Sequence, residues 1–195
     1  MIDLNEIIGQ FSNIENISAQ GEYLQLGFQP SSVPLKERWR NNGLSADFMG
    51  DYVTTFFPKN EKDPQSITRQ AEIKSAVSYI ANELLENAMK YSDENLEKSI
   101  SISLILEQNQ IIITETNFSK PTQALLYKDF ATKLSISDPM EMYVEQLEAS
   151  ALGDGNSGLG FLTMINDYNA ELAWKFTTPS EQSETTITTE VRLPI

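Results

Sequence analysis

The chain has 195 residues, 40% of them hydrophobic, and 28 acidic side chains against 14 basic ones give a formal charge of −14. Length and composition suit one folded domain with a sizeable core, and the acidic excess opposes both nucleic acid and anionic membrane as partners. With no cysteine and no histidine, disulfides, thiolate nucleophiles, Ser-His dyads and phosphohistidine are excluded, so acid–base chemistry falls to carboxylates, Lys or Tyr.

The opening MIDLNEIIGQF lacks a basic start and a long apolar run, and no stretch approaches the roughly 20 apolar residues of a membrane span. A cytoplasmic protein is expected. Residues 22 to 28 alternate polar and apolar side chains as a first strand, closed by Gln29-Pro30. A short helix over 33 to 41 is expected to break at Asn41-Asn42-Gly43, with a second amphipathic stretch from Ala46 to Phe57, stopped by Pro58. After a polar loop to Ser66, a long helix runs from about Ile67 to Tyr91. Its core stripe is Ile73, Val77, Ile80, Leu84, Leu85 and Ala88.

Ser99 to Leu106 and Gln110 to Thr116 form a hairpin of central strands around Glu107-Gln108-Asn109. Some forty residues follow, about 118 to 157, with one fair helix from Met140 to Ala149; this is the expected lid. Residues 158 to 168 read as a helix, and Glu171 to Thr178 with Thr185 to Leu193 as a terminal hairpin. The order predicts an α+β fold, a two-layer sandwich in which helices cover one face of a mixed, mostly antiparallel sheet.

Two motifs carry chemistry. Glu83 and Asn87 stand four residues apart and share one helix face, where a carboxylate can position or deprotonate a nucleophile and an Asn carbonyl can hold a hydrated Mg²⁺. Gly153, Gly155, Gly158 and Gly160, with Leu159 between the last two, open a helix whose amides can approach a phosphate closely.

Asn82 to Ser92 resembles the N box of the GHKL ATPase superfamily, in the Glu-x-x-x-Asn form of the anti-sigma-factor serine kinases, and residues 153 to 161 resemble its G2 box. The resemblance spans roughly residues 67 to 195. It implies the Bergerat α/β sandwich, with residues 1 to 66 as an N-terminal strand and helices of the same domain. It implies Glu83 as general base or water-positioning acid, Asn87 as Mg²⁺ ligand, and Lys90 as a cation near phosphate. Where the family places an adenine-reading Asp followed by glycines, this chain has Asn117-Phe118-Ser119; Asn117 takes that position, with Glu115 as a fallback acceptor. A strong N box with a loosened adenine site is similar to the SiaB-like branch, as is Lys36 to Phe48. The functions implied are an ATP/ADP and Mg²⁺ switch or serine/threonine kinase acting on a STAS-type partner, in a homodimer with residues 1 to 28 as candidate interface. The alternative is a non-catalytic module whose altered pocket takes ADP or a flavin, FAD or FMN.

Overall fold

The computed structural model describes residues 4–12, 21–29, 35–93, 98–151, 158–179 and 184–195. Strands β1 (Asn5–Ile8) and β2 (Glu22–Phe28) precede helices α1 (Leu35–Thr54) and α2 (Pro64–Tyr91). Strands β3 (Ile100–Leu106) and β4 (Gln110–Ser119) follow, then α3 (Pro121–Ile136), α4 (Pro139–Ala151), α5 (Leu159–Tyr168), β5 (Glu171–Thr177) and β6 (Thr185–Pro194). The strands lie in the order β1-β5-β6-β4-β3-β2. Every pairing is antiparallel, within the mostly antiparallel, two-layer α+β sandwich expected.

α2 is the backbone of the helical layer. Its start is fixed by Asp63, whose Oδ1 accepts the Gln65 amide at 3.1 Å, with Pro64 at the first helical position. All six residues of the expected stripe are buried. All of them except Ala88 meet Ile102, Leu104, Ile111, Ile113, Trp174, Ile187 and Val191 of the sheet in one apolar core. α1 packs alongside α2, tied by the Lys74–Asp51 ion pair, and Gln70 Nε2 donates to the carbonyls of Thr54, the last residue of α1, and of Phe57 beyond it. Gly50 permits this approach, because a Cβ there would lie 3.0 Å from the Lys74 carbonyl.

Four expectations change. α1 runs unbroken through Asn41-Asn42-Gly43, since packing along α2 outweighs the weak helix propensity of three residues. β1 is a four-residue strand with too short a pattern to read; it pairs with β5 and ends at Gly9, whose φ of 80° suits glycine. β4 continues to Ser119 because Asn117, Phe118 and Ser119 pair with Ile187, Thr186 and Thr185 of β6. The expected lid contains a further helix, α3, started by Pro121 and buried through Ala124, Tyr127, Ala131 and Leu134.

Candidate functional site

Tyr79, Glu83, Asn87 and Tyr91 follow one another at four-residue intervals on α2 and are all half-buried. Each step advances the helix by slightly more than one turn, so they form one stripe. Both ends of the stripe are closed by other elements. Tyr79 lies beside Thr163 of α5, and its ring lies 5.4 Å from that of Tyr168. At the other end Tyr91 stacks on Tyr127 of α3, centroids 5.0 Å apart and planes 14° from parallel.

Glu83 lies directly against the glycine turn. A Cβ added to Gly160 would fall 1.9 Å from Glu83 Oε2 and 2.8 Å from its Cδ, so only glycine lets that carboxylate rest where it does. The two motifs, far apart in sequence, thus meet in space. Burial first, and the neighbouring Glu86 carboxylate second, push the Glu83 pKa above the ordinary carboxylate range. Glu86 is itself engaged by Asn82, whose Nδ2 donates to Glu86 Oε1 at 2.8 Å. A carboxylate destabilised in this way is a stronger proton acceptor once ionised.

Gly158 is the N-cap of α5 and has no side chain to cap it, so the N-cap residue itself supplies no acceptor for the first amides of the helix. Gly158 is pressed by a ring: an added Cβ would meet Phe130 Cε2 at 2.9 Å and Cζ at 3.0 Å.

The remaining expected residues divide. Asn117 is 2% exposed and held in β4, its Nδ2 donating to Ser92 Oγ at 3.4 Å just past the end of α2. The strand, expected to end at Thr116, runs through it to Ser119. Lys90 is exposed, its ammonium 5.3 Å from the Tyr91 ring centroid. Leu159 and Gly160 form the first turn of α5, while Gly153 and Gly155 lie outside the described residues. Glu115 is as deeply placed as Asn117. It is 2% exposed, its Oε1 has no partner, and burial raises its pKa well above the usual range.

The sequence reading did not find the ring cluster around α3. Tyr127 lies among Tyr91, Phe130, Phe161 and Phe176, and its hydroxyl accepts from Trp174 Nε1 at 3.3 Å. The repeat from Tyr79 to Tyr91 was a usable signal; nothing local marked Tyr127 as its partner.

The donor chemistry of this stripe can be compared with what a Mg²⁺–nucleotide requires. The described residues contain no group of three or more carboxylates able to enclose a metal. Mg²⁺ bound with a nucleotide needs only one or two protein oxygens, because phosphates and water supply the others. Asn87 can supply one such oxygen, between Glu83 and Tyr91 on the stripe.

No family model matches the chain, and no curated protein matches its sequence. Among solved structures, a chain of the SiaB–SiaC complex from Pseudomonas aeruginosa is similar over 92% of this chain and 95% of its own, with a TM-score of 0.59 and 15% identity. The fold is shared. At that identity the likeness speaks to architecture, and it matches the sandwich that the two motifs implied. No helix among the described residues is long and apolar enough to cross a membrane.

Proposed function

We propose that the chain is a nucleotide-dependent regulatory switch of the anti-sigma-kinase type, passing a phosphoryl group from ATP to a serine or threonine of a protein partner. The observation that carries this reading is the seating of the Glu83 carboxylate on Gly160, with Asn87 one turn further along the same half-buried stripe. Asn87 would hold Mg²⁺, which would supply charge neutralisation at the phosphates, and the amides at the start of α5 would bind phosphate oxygens. Glu83 accepts the proton of the attacking hydroxyl as its oxygen bonds to the γ-phosphorus; the bond from that phosphorus to the ADP oxygen breaks, and ADP leaves.

The partner class this reading names is a STAS-type antagonist, and two copies of the chain pair in it, each a single nucleotide-site domain. That the similar structure is a complex of two proteins supports a protein acceptor. Calorimetry with MgADP tests the site. Asn87→Ala is expected to remove Mg²⁺-dependent binding while leaving the fold intact; tight binding with unchanged Mg²⁺ dependence refutes the assignment.

A second reading has its own observation. Asn117 is locked inside β4 and the Phe130 ring presses on Gly158 of the glycine turn, which favours a non-catalytic module that holds ADP or a flavin and controls a partner through the bound state. The absorption spectrum of the purified protein, with mass identification of whatever denaturation releases, separates the two. A flavin spectrum with no phosphoryl transfer to a STAS-type protein favours the second.

A further inference from the structure

We infer that Tyr127 occupies the slot that the planar ring of a ligand takes when the cleft opens, so that the structure is a self-occupied state of the site. The inference rests on the ligand-switch reading above and adds the ring class and the side chain that competes with it.

Tyr127 sits where a bound ring would gain most. One face stacks on Tyr91, at the end of the stripe that carries Glu83 and Asn87. Phe130, one turn on and only 6° from parallel to it, covers Gly158. The sheet carries polar side chains among the apolar ones that pack on Tyr127. Glu115 and Ser119 share one face of β4, Thr189 lies opposite Glu115 on β6, and all three are buried.

That floor is poorly served by a phenol. The hydroxyl of Tyr127 reaches Thr189 Oγ1 and Trp174 Nε1, both at 3.3 Å, which is long for such bonds. Glu115 Oε1 and Ser119 Oγ are left without partners. A buried polar atom without a partner is destabilising, and two of them on one face have no packing rationale. A planar nitrogen heterocycle keeps the stack on Tyr91 and adds edge donors and acceptors that a phenol lacks. Purine and isoalloxazine rings both have this chemistry.

The test is calorimetry on the full chain with MgADP and, separately, with FMN, using wild type, Tyr127→Phe and Tyr127→Ala, each checked by circular dichroism. Because a site occupied by its own side chain binds with an affinity reduced by its open fraction, Tyr127→Phe is expected to bind one probe about 3–10-fold tighter and Tyr127→Ala more than about 10-fold tighter. Which probe responds distinguishes purine from flavin. If Tyr127→Ala does not fold, Tyr127→Phe decides, together with Trp174 fluorescence in a Trp39→Phe background. Ligand should shift that emission by removing the hydroxyl that Trp174 donates to. Equal or weaker binding by the folded Tyr127 variants, with Asn87→Ala still abolishing Mg²⁺ dependence, overturns the self-occupied state and leaves the nucleotide reading standing. Binding of neither probe by any folded variant overturns both.

Discussion

Gly160→Ala separates the geometry of the site from the stability of the fold. The new Cβ would stand 1.9 Å from Glu83 Oε2, and ordinary contact begins near 3.4 Å, so the carboxylate must retreat by at least 1.5 Å. Cγ, at 3.2 Å, needs to give by only a few tenths of an ångström. The displaced atoms are the end of a flexible side chain on a half-buried stripe. A strained rotamer costs about 0.5–1.5 kcal/mol. Replacing glycine by alanine returns up to about 1 kcal/mol within a helix, and less in its first turn. The two nearly cancel, so the melting temperature should move by no more than about 4 °C for a chain of this size.

The side chain itself should respond clearly. As the Glu83 carboxylate leaves the cleft, the burial that raises its pKa is relieved, and its titration midpoint, followed by carbon-detected NMR, falls toward the ordinary carboxylate value. On the kinase reading, phosphoryl transfer drops about 10²-fold or more with the loss of a positioned base. An unchanged Glu83 midpoint in a folded Gly160→Ala protein would show that the carboxylate does not depend on the glycine, and the reasoning fails. A loss above about 3 kcal/mol would show that the contact is far stiffer than this geometry implies.

Two other substitutions probe the surroundings. The folded-state pKa of Glu115 lies well above its unfolded value, so its contribution is fully present below the ordinary carboxylate range and is lost as pH rises through the folded pKa, at about 1.4 kcal/mol for each pH unit that separates the two values. Glu115→Gln removes that loss: urea melts should find it more stable than wild type at about pH 8, with the gap narrowing at about pH 5, whereas parallel pH curves would contradict a buried neutral acid. Gly158→Ala drives a Cβ into Phe130 and should cost about 1–3 kcal/mol in urea melts, most of it recovered by adding Phe130→Leu; no recovery would place the strain elsewhere.

Much of this arrangement was legible because α2 is long. Over 28 residues an apolar period accumulates enough repeats to fix which face is inside, and that also fixes where Glu83 and Asn87 stand. The paired strands β3 and β4 were legible through their β-branched runs and the polar turn between them. α3 was not, since Leu125, Leu126 and Phe130 blur the stripe of Ala124, Tyr127, Ala131 and Leu134. The same holds at the site. The seating of Glu83 on Gly160 follows from two local motifs that a shared fold brings together. The stacking of Tyr127 on Tyr91, and the solitary burial of Glu115, depend on side-chain placement across elements that carries no local mark.

The order of the strands also bears on how the chain is made. β4 is central, yet one of its neighbours, β6, begins only at Thr185. Through the synthesis of α3, α4, α5 and β5, some sixty-five residues beyond Ser119, that edge of β4 exposes backbone donors and acceptors that only residues 185–194 can satisfy. Such distant pairing makes folding slow, because the loop must close before its contacts form. On the ribosome, the growing chain would therefore carry an apolar, half-built sheet until its last strand emerges.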